Sequence, residues 1–462
     1  MGKQDVLKEP IIKTKQLTAL EELLSAREER SLLRLNICEK SGAAVSLNLN
    51  IPGIPKLNPV YNQFFQHCII QLKNWLLANR VIIDHENEME VEHAAGNFYI
   101  AGVKSGEKNT AYLKQITEKF ELNHKLGRFI DVDVSDENGN IFSSGKLKEC
   151  FYCKEHPAIE CMRKKRHPIQ LLREFQQGQI QTYLREIRLE QLKHKIVSVA
   201  IRSVFYELSL TPKPGLVDAS GNGVHNDMNF KLFIDSTAVI STYFMHLFLA
   251  GYECETAEIK NALPIIRNIG LIMEREMFLQ TKGINTQKGI IFLMGISLFS
   301  VGHLMKEKDI FDQELFVNTV KTLCLNLVQD EFAVQKGALT HGELCFKNHQ
   351  IGGVRHEAEL GFPSVFLHAL PLIEKEQNTD NEVLFRTLLT LMSVVNDTNV
   401  LYRSDLQTLS LLQNLSRQVA DNFTMKAYAE IISFCRENNI SPGGSADLLS
   451  ITIFIYLLKN EL

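Results

Sequence analysis

The feature that most constrains the fold of this 462-residue chain is a change of hydrophobic period partway along it. Up to about Gln170, short runs rich in Val, Ile and Phe (Ala43–Ile51, Val81–Asp84, Asn97–Val103 and Phe129–Val134) are bounded by Gly, Pro or Asn and mixed with helical stretches. That texture predicts an α+β domain. Farther on, Phe230, Phe233, Ile234, Thr237, Ile240, Ser241, Phe244, Leu247 and Phe248 recur at steps of three and four. No strand has that spacing, so one helix over Met228–Ala250 is expected, and similar stripes in Leu384–Val395 and Ala446–Leu458 make the second half all-α. A single core stops growing well below this length, which implies two domains, 1–178 and 179–462. Between them Ile169–Lys195 is polar, charged and helically spaced, as in a long exposed connecting helix.

Composition enters by exclusion. Hydrophobic residues at 45% and charged residues at 23% describe a folded chain. A net charge of -4 supplies no global field for nucleic acid or an anionic membrane, so neither is expected as a partner. The amino-terminal MGKQDVLKEPIIKTK lacks a signal-peptide core, and Gly289–Met305 and Leu448–Leu458 are too short or interrupted for membrane spans. They read as buried helices of a cytoplasmic protein. Nine cysteines without an export signal are expected as free thiols.

Common signatures fail when checked literally. There is no GxxxxGK[ST], and GNGVHN at Gly221–Asn226 breaks GxGxxG at its last position. RHEAEL at Arg355–Leu360 lacks the second histidine of a zinc peptidase, and GGSAD at Gly443–Asp447 is no nucleophile elbow. Rossmann, P-loop and common hydrolase readings are therefore disfavoured.

Three patterns in the first half carry chemistry. GRFIDVDV, Gly127–Val134, puts Asp131 and Asp133 two apart on a strand, hence on one face, where the pair can share Mg²⁺ or simply be a solvated strand face. Arg128 beside them suits a phosphate or a surface ion pair. DENGN, Asp136–Asn140, signals a tight turn leading into Ile141–Phe142 as a hairpin. Cys150, Cys153, Cys161 and His167 offer four zinc ligands at spacings that match no standard finger, the alternative being packed thiols beside a helix. Arg163, Lys164, Lys165, Arg166 and His167 form a basic run, with Lys146 and Lys148 upstream, that suits docking of an acidic partner or a solvated helix end.

GRFIDVDV, KLKECFYC and CMRKKRH, over roughly Gln16–Gly178, resemble the phosphoribosyl-dephospho-CoA transferase family of citrate lyase, the holo-acyl-carrier synthases. The resemblance implies a nucleotidyltransferase-like fold and transfer of phosphoribosyl-dephospho-CoA to a serine of the apo-citrate lyase acyl carrier (gamma) subunit, releasing pyrophosphate. It implies Asp131 and Asp133 as Mg²⁺ ligands and Arg128 as a phosphate ligand, and does not establish zinc.

Over Arg185–Leu462, ordered motifs resemble the ATP:dephospho-CoA triphosphoribosyltransferase family: TPKPGLVD, HNDM, GINTQKG, GGVRHEAELGFPSV, DTNVLYR and SPGGSADLL. The implied substrates are ATP and 3′-dephospho-CoA, and the implied reaction is attack of a 2′-hydroxyl on C1′ of the ATP ribose with loss of adenine. Such a site must hold a triphosphate, activate a hydroxyl and stabilise an oxocarbenium-like sugar. The glycines of GINTQKG and IGGVRHEA, with Asn285, Lys288, Gly289, Gly352, Gly353 and Arg355, are the triphosphate candidates, because backbone N–H groups at helix starts and fixed cations favour phosphate. Lys213, between two prolines, is a further candidate. Asp218, His225, Asp227, Glu357 and Asp397 are candidates for base or metal ligand, together with Glu343. Asp227 would alternatively cap the following helix, Asp397 lies on the polar side of an apolar helix, and Asp447 suits a first-turn carboxylate.

Three other readings compete. The target could be the malonate decarboxylase carrier, which bears the same prosthetic group. Cys150–His167 could be the zinc module of a non-enzymatic interaction scaffold. A helical glycohydrolase could use water as acceptor.

Overall fold

The computed structural model describes residues 8–104, 110–142, 148–308, 310–333 and 341–462. Lys146, residues 336–340 of the KGALTHGE connector and the side chain of Glu343 lie outside the described residues. The chain divides into two compact units, Met1–Leu189 and Glu190–Leu462, and the division falls within one helix, Ile169–Ser209.

The first unit is α+β. Its strands β1 (Ala44–Leu49), β2 (Ile83–His93), β3 (Gly96–Val103) and β4 (Ile130–Ser135) form an antiparallel sheet in the order β2-β3-β1-β4. β2 runs on to His93 past the expected end at Asp84, through HENEMEVEH. Glu and Asn are poor strand formers, yet on an edge strand they remain solvated and block further pairing. The Asp136–Asn140 turn closes with Gly139 N–H donating to the Asp136 carbonyl at 2.9 Å and Gly139 at φ 77°. Beyond the turn the chain makes an isolated bridge, Ser135 to Ile141, rather than the return strand of a hairpin.

Alternation decides what each sheet face meets. Val45, Leu47, Tyr99, Ala101, Val132 and Val134 join the main core with Phe64, Phe65 and Leu72 of the helix Pro59–Ala78 and Ile116 and Phe120 of Thr110–Asn123. Ala44, Phe98 and Ile100 form a smaller core with Ile37 and Cys38 of the helix Lys8–Ser41. Ser46, Asn48, Asp131 and Asp133 share the register of this second face. β4 is a sheet edge, and its backbone at Val132 is occupied from outside: Glu121 accepts its N–H at 2.7 Å and Lys114 donates to its carbonyl at 3.2 Å.

In the described residues of the second unit every named element is a helix. The helix Lys288–Glu307 is its hub, buried from Leu293 through Met305 and packed on Phe244–Glu253. A Cβ at Gly251 would fall 1.9 Å from the Phe299 carbonyl, and one at Gly302 would fall 2.0 Å from that of Phe248. Two glycines thus set how closely these backbones approach. The expected single helix from Met228 is instead Phe230–Ile240, a 3₁₀ turn Ser241–Tyr243, and Phe244–Glu253. Its cap is Asn229, whose Oδ1 accepts the Leu232 N–H at 3.0 Å, so Asp227 does not cap it.

Candidate functional sites

In the first unit the carboxylate face of β4 meets a set of cations. Asp131 Oδ1 accepts from Lys148 Nζ at 3.2 Å, and its Oδ2 from Asn48 Nδ2 at 3.4 Å. Lys148 also pairs with Glu121 at 2.9 Å. Asp133 has no hydrogen bond or ion pair among the described residues. Burial, then the charge of Asp131, raises the Asp133 carboxyl above its usual range, against the pull of Arg34 and Lys114. Two oxygen donors on one face, one without a partner, fit Mg²⁺.

Arg128 stands in the 3₁₀ turn Gly127–Phe129 and donates through Nη2 to the Glu149 carbonyl. Its Nε is buried without a partner, and burial lowers its pKa. Arg128 thus reaches the chain segment that carries Lys148 and Cys150. Of the basic run, Lys164 and Arg166 both engage Glu160, at 2.6 and 2.8 Å, while Arg163 and Lys165 are exposed. The thiols of Cys150, Cys153 and Cys161 and the ring of His167 converge, with ligand atoms all within 4.8 Å of one another.

The second unit holds a cavity of about 710 Å³, within the range of roughly 300–1,000 Å³ usual for ligand sites. Connectors far apart in sequence line it. Lys213 and His225 come from the first, Asn285, Lys288 and Gly289 from the next, Arg355 from the third, and Asn399 and Arg403 from the fourth. Ser441 and Asp447 come from the last.

One wall of the cavity carries a buried ion pair. Lys213 Nζ donates to Glu207 Oε1 at 2.6 Å, with the side chains 3% and 10% exposed. Asp447, in the helix Gly443–Glu461, lines the cavity nearby. A Cβ on Gly289 would lie 1.8 Å from Asp447 Oδ2, so only glycine lets this carboxylate rest against the start of the helix Lys288–Glu307. Burial, then Glu207 and Asp397, pushes the Asp447 carboxyl well above the carboxylate range, against Lys213. Among the described residues no hydrogen bond reaches it. A desolvated, unpartnered carboxyl on a cavity wall is a strong proton acceptor once ionised.

His225 Nε2 lies 2.9 Å from Ser441 Oγ, and its Nδ1 lies 3.4 Å from Arg403 Nη2. Guanidinium only donates, so Nδ1 is the acceptor and the proton sits on Nε2. Burial and Arg403 lower its pKa, keeping the ring neutral. Lys288 pairs with Glu274 at 2.9 Å on the same wall.

The other sequence candidates fall elsewhere. Asp218 is buried and accepts from the Lys213 N–H at 2.6 Å and from Ser220 and Gly221, which makes it the organiser of the KPGLVD loop. Glu357 accepts from the Ser364 N–H and hydroxyl. Asp397 is not on the polar side of a helix: the helix Asn381–Val394 ends before it, and it caps Thr398–Arg403 through the Asn399 N–H at 2.9 Å while binding Ser445 N–H at 2.9 Å. Asp227 is exposed. Gly352 and Gly353 begin the helix Gly353–Glu359, where a Cβ at Gly353 would lie 2.8 Å from Thr398. Glu207, Arg267, Glu274 and Arg403 were not singled out from sequence, because Glu207, Arg267 and Glu274 sit on helices among ordinary surface charges.

Residues 193–462 match the family model of ATP:dephospho-CoA triphosphoribosyl transferase, and residues 18–183 match that of apo-citrate lyase phosphoribosyl-dephospho-CoA transferase. Protein CitXG of Leuconostoc mesenteroides subsp. cremoris is 30% identical over 96% of this chain and 98% of its own length. Protein CitXG of Haemophilus influenzae is 29% identical over 96% and 97%. The 2-(5′′-triphosphoribosyl)-3′-dephosphocoenzyme-A synthase of Pectobacterium atrosepticum is 37% identical over 55% of this chain and 86% of its own.

Proposed function

This chain belongs to the ATP:dephospho-CoA triphosphoribosyl transferase family, joined to an apo-citrate lyase phosphoribosyl-dephospho-CoA transferase domain, and from that premise we propose how its residues divide the work. It is a bifunctional transferase of citrate lyase maturation: one activity makes triphosphoribosyl-dephospho-CoA, and the other passes the prosthetic group on.

In the second unit the cavity takes ATP and dephospho-CoA. Asp447 accepts the proton of the dephospho-CoA 2′-hydroxyl as that oxygen bonds to C1′ of the ATP ribose. The bond from C1′ to adenine breaks, adenine leaves with its electron pair and takes up a proton from water, and the triphosphate stays on the sugar. Lys288, Arg355 and Arg403, with Asn285, hold the triphosphate. Phe233, Phe292 and Tyr402 offer flat apolar walls to adenine. Lys213 and Glu207 position Asp447 and keep its neighbourhood charged and ordered. The observation that carries this reading is the unpartnered Asp447 carboxylate against Gly289, in a cavity that Lys288, Arg355 and Arg403 also line.

In the first unit, read as nucleotidyltransferase-like, Asp131 and Asp133 would hold Mg²⁺, which when bound neutralises phosphate charge. Lys148 and Arg128 flank that face as cations for the triphosphate. The carrier serine oxygen bonds to the phosphorus nearest the ribose, the bond from that phosphorus to the bridging oxygen breaks, pyrophosphate leaves, and the serine proton passes to water. Exposed Arg163 and Lys165 suit docking of an acidic carrier in the cytoplasm.

The test supplies the full chain with ATP, Mg²⁺, dephospho-CoA and apo-carrier, and follows adenine, pyrophosphate and carrier mass. Adenine should appear without carrier, and pyrophosphate only with it. Adenine release that needs no dephospho-CoA would overturn the second-unit reading, and pyrophosphate formed without carrier modification would overturn the first.

A further inference from the structure

The Cys150–His167 cluster belongs to neither reaction, yet it is the most convergent set of soft ligands among the described residues. We propose that Cys150, Cys153, Cys161 and His167 bind one structural zinc ion, which fixes the segment that presents Lys148 to the carboxylate face of β4.

The ligand atoms already lie near tetrahedral spacing. Zinc–sulfur bonds of about 2.3 Å and zinc–nitrogen bonds of about 2.0–2.1 Å in a tetrahedron put the ligand atoms roughly 3.4–3.8 Å apart. Cys153 Sγ and Cys161 Sγ already lie 3.7 Å apart, unbonded, and the widest pair of the four must close by only about an ångström. The second argument is an orphan: His167 Nε2 is buried and has no hydrogen-bond partner. A buried ring nitrogen without a partner is costly unless something absent from the protein chain completes it.

Local backbone is built around the cluster. Cys150 N–H donates to the His156 carbonyl at 2.8 Å, and Lys154 N–H returns to the Cys150 carbonyl at 3.0 Å with Lys154 in the left-handed region at φ 57°. This tight turn brings Cys150 and Cys153 to one side. Arg166 N–H donates to the Cys161 carbonyl at 3.0 Å, folding the end of the helix Ala158–Arg163 so that His167 faces the thiols. Tyr152 packs against the His167 ring at 5.0 Å between centroids, restricting its plane. Few apolar side chains are available here: Phe151 reaches Phe129 at 5.2 Å, and Tyr152 reaches Phe175 at 5.3 Å. A segment with so small a core gains most from a metal clip.

Four protein ligands leave no open position, so the ion is structural rather than catalytic. Three thiolates and one imidazole favour zinc over Mg²⁺, and the thiol protons leave as the metal binds. The consequence lies next to Cys150. Lys148 touches Asp131, and the Glu149 carbonyl accepts from Arg128. The metal proposal does not depend on the roles given to Asp131 and Asp133, because its readout is metal content.

The test measures metal in the full chain purified without added metal or chelator. About one zinc per chain is expected. Cys161→Ser and His167→Ala should each lose it, while Cys254→Ser, at a thiol outside the cluster, should keep it. Reconstitution of the unsubstituted chain with Co²⁺ should give the sulfur-to-cobalt charge-transfer absorption of a three-thiolate tetrahedral site, a readout that no variant needs to survive. Purified chain without zinc that also gives no such absorption, zinc retained in Cys161→Ser, or iron in place of zinc would each overturn the proposal.

Discussion

The two units place carboxylates by opposite means. In the first, Asp131 and Asp133 are two residues apart on β4, and the pleat alone puts them on one face. In the second, Glu207 and Asp447 lie on different helices at opposite ends of the unit's sequence, yet both line one cavity and feel each other's charge. A strand builds a pair locally, so a motif can reveal it. A helical bundle builds a site from its loop ends and helix walls, so its parts become visible only after folding.

Removing one carboxylate from each unit should separate the two activities. Asp447→Asn should slow adenine release by about 10²–10⁴-fold, the range of a lost general base, while carrier modification from supplied triphosphoribosyl-dephospho-CoA continues. Asp131→Ala should do the reverse, abolishing carrier modification with adenine release intact. Loss of both products in either variant would mean that the units do not work separately.

Next in size is the buried pair. Lys213→Met leaves Glu207 unpaired and removes the cation near Asp447, which should destabilise the second unit by about 3–5 kcal/mol in urea unfolding. Glu207→Gln combined with Lys213→Met should recover part of that loss, since no buried charge is then left alone. If the single and double variants unfold alike, the pair is not what holds this wall.

A smaller effect is expected at Gly289→Ala. Its Cβ must displace the Asp447 carboxylate, so kcat for adenine release should fall about tenfold, about 1.4 kcal/mol of barrier, with little change in the KM for ATP. A change in KM alone would assign Gly289 to phosphate binding instead.

The smallest effect sharpens the electrostatics. The folded-state pKa of Asp447 is raised above its ordinary 3.8, so between those values the folded chain binds the extra proton. Stability from this group is present at low pH and is lost as pH rises through the raised value. Asp447→Asn should therefore raise Tm more at pH 8 than at pH 5. An equal shift at both would mean that the carboxyl titrates normally.

These contrasts also mark how far the sequence could be read. The strand positions of Asp131 and Asp133, the long helix beginning at Ile169 and the buried character of Lys288–Glu307 followed from period and composition. The extent of β2 did not, because an acidic edge strand looks like loop. In the second unit the Gly-rich connectors converge, and Lys213, His225, Asn285, Lys288, Gly289 and Arg355 line one cavity. The connector carboxylates Asp218, Glu357 and Asp397 accept from backbone N–H groups, as acidic side chains in tight connectors readily do. Asp447 reads as a first-turn helix carboxylate, and only the missing side chain of Gly289, far away in sequence, leaves room for it on the cavity wall.

The outer edge of β4 has a bearing on how the molecule behaves in a crowded solution. An edge strand ordinarily offers its free amides and carbonyls as a template on which another polypeptide can add a strand and begin to aggregate. At Val132, between the two aspartates, that template is plugged from both sides by Glu121 and Lys114. The strand that carries the acidic pair can therefore stay at the rim of the sheet without becoming a seed for self-association.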